Sequence, residues 1–265
     1  MHCFALAVTL MALGHGPRVI SFVPSVTEIA VAIGGASQLV ARTDYDRDPR
    51  LSRLPSVGGT TNPNLEVVEQ LRPDVVITWD DSEAPGLAAT LRQLRLRIVQ
   101  VHTAGLQDLR ADIRILGSLL GREHSADSLW QTIDGQLRDL ETHRSARSRP
   151  GVFFVVWLRP LITAGSAALV DTLISIAGGR NVFHDMAQAW PTISSEALAA
   201  RHVDIIVVPE SRIHSRRDVL DNPVIAGVVS LMHPRVVTIE DDLVNRPGPR
   251  TGEAARALAA AIQQP

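Results

Sequence analysis

The stretch "HSADSLWQTIDGQLRDLETHRSAR", residues 124–147, decides the architecture. Leu129, Ile133, Leu137 and Leu140 recur at the spacing that places them on one helical face, while Asp127, Asp134, Arg138, Asp139 and Glu141 supply polar faces. Ser125 stands where an N-cap belongs, Trp130 reads as a packing residue, and "SRPG" (148–151) ends the segment. A helix of about 20 residues, near 30 Å long, is predicted in the middle of the chain.

Short apolar, β-rich runs flank that helix on both sides. "VISF" (19–22), "LVAR" (39–42), "VVITW" (75–79) and "RIVQV" (97–101) precede it; "GVFFVVW" (151–157), "DIIVV" (204–208) and "RVVTI" (235–239) follow. Helix-like segments at 27–34, 85–95, 106–121, 169–177 and 251–263 lie between them, and such alternation predicts βαβ units with mainly parallel sheets. The expected organisation is an N-terminal α/β lobe over 1–123, a connecting helix over 124–147 and a C-terminal α/β lobe over 148–265. An internal echo supports two lobes. "NLEVVEQLRPDVVIT" (64–78) and "SSEALAARHVDIIVV" (194–208) superpose without gaps, matching Glu66 to Glu196 and Asp74 to Asp204. Each reads as a capping Asn64 or Ser194, a short helix and then a strand.

Composition narrows the function. A 265-residue chain that is 45% hydrophobic can bury substantial cores. Its net charge of −2 and lack of a basic run leave no electrostatic footprint for nucleic acid. One cysteine, Cys3, excludes an internal disulfide and a cysteine-built metal site. At the start, "FALAVTLMALG" has the length of a signal-peptide apolar region, yet no Lys or Arg precedes it and no Ala-x-Ala-like site follows. It is too short to span a bilayer. The alternative is a strand of a small hairpin leading into "PRVISF".

Aromatics are scarce, at 4%, and their placement is uneven. Trp79, Trp157, Trp190 and the one tyrosine, Tyr45, fall in or beside turns at strand ends. A flat apolar face with one donor suits a polycyclic ligand, and open α/β sheets bind ligands at their strands' C-terminal ends. The loop "PSVTE" (24–28) sits at such an end. Ser25 or Thr27 could cap the following helix with Glu28 in its first turn, or face a ligand. Enzyme motifs are missing: there is no G-x-S-x-G, G-x-G-x-x-G or Walker P-loop, and no H-x-H or H-E-x-x-H. Asp80–Asp81 and Asp241–Asp242 read as solvated turn residues, and His102 is the one histidine placed for a ligand.

"RVISFVPSVTEIAVAIGG", "VARTDYDRDP", "LPSVGGTTNPNLEVVEQLRPDVVITW", "PLITAGSAALVDTLISIAGGRNVF", "WPTISSEALAARHVDIIVV" and "RPGPR" together resemble the cobalamin-type periplasmic substrate-binding proteins of ABC importers, the helical-backbone class that also serves haem and ferric siderophores. The resemblance spans residues 18–263. It implies two Rossmann-like lobes joined by one long backbone helix, with a corrinoid ligand held between them. It implies a monomeric, periplasmic or extracytoplasmic protein, not an enzyme, with no cofactor or metal. Its partner would be the permease, the transmembrane subunits of the importer. Carried over by position, Pro24, Ser25, Thr27, Tyr45, Thr61, Trp79, Trp157, Arg159, Trp190, Asp242 and Arg246 become ligand contacts, and Glu66 and Glu196 become the docking carboxylates. Two departures stand out. Arg47-Asp48 interrupts the usual tyrosine-proline run, and Thr60-Thr61 replaces a tryptophan found in some cobalamin binders. Haem or a ferric siderophore, with Tyr45 or His102 as axial ligand, is the alternative within the class. An α/β enzyme acting on a corrinoid intermediate is the alternative outside it.

Overall fold

The computed structural model describes residues 16–60, 62–80, 84–143, 149–211 and 215–263. The proposed signal segment or hairpin over 1–15, Thr61 and Asp81 lie outside these. In the first half, β1 (Val19–Ser21), β2 (Val75–Trp79) and β3 (Arg97–Val101) form a parallel sheet in the order β1-β2-β3. Every residue of β1 and the first four of β2 are buried, as strands covered on both faces must be. The run "LVAR" does not form a strand of its own. It touches β1 in one bridge, Val19 to Leu39, and then swings away so that Arg42 meets Ser56.

Helices α1 (Pro24–Ala32), α2 (Leu65–Leu71), α3 (Leu87–Gln93) and α4 (Leu106–Leu120) connect and cover this sheet. Gly121, at φ 63° in the left-handed region, ends α4, and α5 (Glu123–His143) starts two residues later. The long helix is therefore present, 21 residues in length. It begins ahead of Ser125, which lies inside it rather than capping it. Ile133 and Leu137 are buried, and Leu129 and Leu140 pack partly buried beside them. Trp130 packs too, with the Arg110 guanidinium 5.5 Å above its ring.

The second sheet has the order β5-β4-β7-β8, from β4 (Gly151–Leu158), β5 (Leu161–Thr163), β7 (Ile205–Glu210) and β8 (Arg235–Glu240), with β6 (Arg180–Asn181) beside the start of β4. Only the β4–β5 pair is antiparallel. Around it lie α6 (Leu169–Ile176), α7 (Ser195–Ala199), α8 (Arg216–Leu220), α9 (Pro223–Met232), α10 (Asp241–Val244) and α11 (Thr251–Gln263). α5 packs on α4 from the first half and on α6 and α11 from the second. One apolar cluster consequently runs from Val19 and Ile77 through Ile133 and Leu137 to Val152, Leu173 and Leu258.

The echo has a structural basis in both lobes. Asn64 accepts from the Val67 amide and Ser194 from the Ala197 amide, so both short helices are capped as read. Each matched aspartate then fastens the start of a neighbouring strand. The Arg18 amide donates to Asp74 at 2.8 Å and the Gly151 amide to Asp204, while the Asp74 and Asp204 amides donate back to the carbonyls of Arg18 and Gly151.

Candidate functional site

The C-terminal ends of both sheets face a common cleft, and the loop after β1 forms part of its floor. α1 begins at Pro24, with Val23 as the residue before it and no side-chain cap. The capping expected of Ser25 or Thr27 is absent, because proline at the first helical position puts both inside the helix. The Thr27 hydroxyl donates back to the Val23 carbonyl at 3.2 Å. Being buried, Thr27 shapes the loop instead of presenting an atom to a ligand. Ser25 differs: it is 3% exposed, and its Oγ has no hydrogen-bond partner. A buried hydroxyl without a partner carries a desolvation cost that a ligand atom can relieve.

Ser25 lines a hollow of ≈ 240 Å³ together with Pro24, Tyr45, Thr60, Trp79, Asn245, Arg246 and Pro247. Residues from the two halves of the chain, separated by some 200 positions, thus meet in one place. Tyr45 is half exposed, held by its amide donating to Thr43 Oγ1 in a loop that Asp46 folds by accepting from the Thr43 amide and hydroxyl. Trp79 ends β2 and packs against two apolar clusters, so its ring is fixed before anything binds. Larger hollows exist, of ≈ 680 Å³ beside Arg18 and Gln38, ≈ 570 Å³ between α4 and α5 beside Arg110 and Trp130, and ≈ 460 Å³ beside Arg159 and Val224. None of these three joins aromatic faces to polar groups from both lobes.

An ion network closes the floor. Arg246 Nη1 lies 3.5 Å from Glu28 Oε1 and donates to the Tyr45 carbonyl at 3.2 Å, and its Nη2 lies 3.0 Å from Asp242 Oδ1. Arg250 Nε stands 4.0 Å from Glu28 Oε2, with Nη1 at 3.8 Å from Glu240. Arg47 pairs with Asp242 across the cleft. Burial pushes the Glu28 carboxyl above the usual carboxylate range, and Arg250 and Arg246 oppose that shift. Asp242, read from sequence as a solvated turn residue, is instead mostly shielded and paired twice.

The other expected contacts lie apart from this hollow. Trp157 is not in a turn but in β4, just past an irregularity after Val155, and its indole donates to the Arg159 carbonyl at 3.0 Å. Trp157 and Trp190 are each 42% exposed, large apolar faces left open on the second lobe. Arg159 is exposed and lines the depression with Pro160 and Asn222. His102 pairs through Nδ1 with Asp80 Oδ2 at 2.9 Å beyond the ends of β2 and β3. Glu66 and Glu196 are both exposed, in the first turns of α2 and α7. Amide and hydroxyl donors around Glu196, its own amide foremost and then Ser194 and Ser195, hold its carboxyl below the usual range. Sequence reading missed Thr60, Asn245 and Pro247 as lining residues and Glu28 and Arg250 as network members. The repeated arginines of "NRPGPR" were the available signal for the last. Among the described residues no group of three or more His, Cys, Asp or Glu side chains could hold a metal.

Two α/β lobes packed about one helix, with a hollow between them lined from both, define a two-lobed class of fold. A family model described as periplasmic binding protein matches residues 19–243, and the chain belongs to that family. The vitamin B12-binding protein of Pectobacterium atrosepticum is 28% identical over 257 residues, covering 93% of this chain and 88% of that one. That of Salmonella typhimurium is 27% identical, covering 98% and 96%. Among solved structures, the periplasmic vitamin B12 binding protein of Vibrio cholerae superposes with a TM-score of 0.75 at 27% identity, covering 93% of this chain and 96% of that one. The periplasmic heme binding protein of the same species reaches 0.81 at 23% identity, covering 94% and 99%, a likeness of fold.

Proposed function

We propose that this protein captures a corrinoid, cobalamin-like ligand outside the cytoplasm and delivers it to the permease of an ABC importer, without performing chemistry on it. The observation that carries this reading is the interlobe hollow. Trp79 and Tyr45 offer flat faces, the unpartnered Ser25 hydroxyl offers a polar atom, and Arg246 joins them from the other lobe. At ≈ 240 Å³ the hollow takes one edge of a macrocycle, and the rest of the ligand spreads across the cleft toward Trp157, Arg159 and Trp190. Thr61, outside the described residues, is kept as a ligand contact on the family resemblance alone. Thr27 and Asp242 act at one remove, by placing the Ser25 loop and Arg246. The names of the curated relatives support the ligand class.

In this reading the lobes are residues 1–123 and 148–265, the link is 124–147, and the protein works as a monomer. It needs no cofactor. Glu66 and Glu196, one per lobe and both exposed, dock on arginines of the permease. Single exposed ion pairs contribute little energy, so they set register rather than affinity.

The test is intrinsic tryptophan fluorescence during titration with cyanocobalamin, with cobinamide and haemin in parallel. Saturable quenching by cyanocobalamin at submicromolar concentration, roughly −8 kcal/mol or better, is the expected result. Quenching by haemin alone would move the substrate within the class, and no response to any of the three would remove the stacking site.

A further inference from the structure

We infer that Glu28 is a specificity-determining residue, which occupies the cleft arginines so that the site selects a macrocycle fringed with uncharged amides over one carrying carboxylates. The inference deepens the corrinoid reading above and rests on it.

The charges around the floor balance. Arg47, Arg246 and Arg250 face Glu28, Asp242 and Glu240, each within 4.0 Å of an opposite charge. Among the described residues the Glu28 carboxylate alone stands within 4.0 Å of both arginines of the final loop, and it reaches them from the opposite lobe; Asp242 meets Arg246 with its carboxylate but Arg250 with its backbone carbonyl. The final loop lies beside α1, where a Cβ on Gly248 would make ordinary van der Waals contact with the Ser25 carbonyl at 3.5 Å and with Glu28 Oε2 at 3.9 Å. Arg246 lines the hollow with side-chain exposure of 16%, so its charge acts at short range on whatever enters.

A carboxylate brought to this floor meets an arginine already shared between Glu28, Asp242 and the Tyr45 carbonyl. It also approaches two fixed carboxylates in a partly desolvated setting, where like charges repel strongly. An amide meets no such repulsion, and its carbonyl can still accept a hydrogen bond from the guanidinium. Discrimination here comes from a repulsive element as much as an attractive one. With Glu28 neutralised, three arginines would face only Asp242 and Glu240, and the leftover positive charge would offset much of the repulsion of a carboxylate.

A matched pair of probes isolates this effect: cyanocobalamin and the monocarboxylate made from it by hydrolysing one propionamide side chain. Wild-type protein is expected to bind cyanocobalamin at least about tenfold more tightly than the monocarboxylate. In Glu28→Gln the ratio should fall to about threefold or less, mainly through tighter monocarboxylate binding. Arg250→Met, which withdraws a partner from Glu28 without touching the hollow, should widen the ratio instead. It supplies a second reading should Glu28→Gln fail to fold. A purely structural interlobe tie would weaken both ligands equally in Glu28→Gln and leave the ratio unchanged, which overturns the inference; so does a wild-type ratio near one. If neither corrinoid binds the wild type, the corrinoid reading fails first and the inference falls with it.

Discussion

Ser25 and Thr27 are two small hydroxyl residues on one turn of α1, and the fold uses them in opposite ways. Thr27 is bonded to the Val23 carbonyl, whereas Ser25 has no partner at the wall of the hollow. Ser25→Ala should therefore leave unfolding free energy within about 0.5 kcal/mol and weaken cyanocobalamin binding about five- to tenfold. Thr27→Val should do the reverse, costing about 1–2 kcal/mol in urea denaturation with little change in affinity. Equal effects of both substitutions on affinity would remove the distinction. The sequence placed both residues at the right loop, because a strand's end followed by Pro-Ser-x-Thr-Glu is local information. It could not say which hydroxyl faces the cleft, since that depends on the helix starting at Pro24 and on the loops that pack around it.

Asp112 makes a separate point at the same scale. Burial raises its carboxyl to about 6, against the lowering effect of the Thr103 hydroxyl that donates to it. The folded protein thus binds this proton more tightly than the unfolded chain. Its contribution is full below about pH 4 and is lost as pH rises through about 6. Asp112→Asn should stabilise the protein at pH 7.5 by up to about 3 kcal/mol, and the gain should shrink by pH 4.5. Urea titrations of both proteins at the two pH values check it, and a gain independent of pH would exclude this cause.

At the scale of elements, Gly165 shows how one strand end sets another. A Cβ there would fall 2.2 Å from the Gln188 carbonyl oxygen and 2.4 Å from that of Met186, and the Gly165 amide donates to Ala189 at 2.9 Å. The segment leading to Trp190 is thereby laid directly on the backbone after β5. Gly165→Ala must push it away, costing about 1–3 kcal/mol by thermal or urea unfolding. Because Trp190 rides on that segment, affinity for cyanocobalamin should fall as well, and an unchanged affinity would place Trp190 outside the ligand's reach. Periodicity found most elements here, including α4, α6, α11 and the strands β2 and β3 to within a residue or two. It missed α9, whose "PVIAGVVSLM" is apolar on every side and rich in β-branched residues. The local signal was there: Asn222 caps α9 through the Val224 and Ile225 amides, with Pro223 as the first helical residue. Trp157 was misplaced for the opposite reason. Arg159 and Pro160 suggested a turn, while pairing with β5 carried the strand on to Leu158.

At the scale of the whole molecule, α5 is the centre rather than a tether. Ile133, fully buried, belongs to the apolar cluster that includes residues of both sheets. Ile133→Ala should cost about 2–5 kcal/mol, and calorimetry should still show one transition in both proteins. Two separated transitions in the wild type would mean that the lobes unfold independently and that the shared core is energetically minor. The two-lobe plan was legible because the connector's stripe is long and regular. The ion network was not, because its interlobe pairs, Glu28 with Arg246 and Arg250 and Arg47 with Asp242, lie some 200 residues apart and only the fold brings them within 4.0 Å.

That unbroken core limits what an empty and a filled protein can look like from outside. Large hinge closure requires a joint that bends, and here the joint is a packed 21-residue helix sharing its apolar face with both lobes. On the proposed docking roles, the outer surfaces carrying Glu66 and Glu196 would keep nearly the same separation whether or not cargo is present. A membrane partner that engages those two points would meet idle and laden carriers on almost equal terms, so an excess of idle carriers would queue at the gate and slow uptake by occupancy alone.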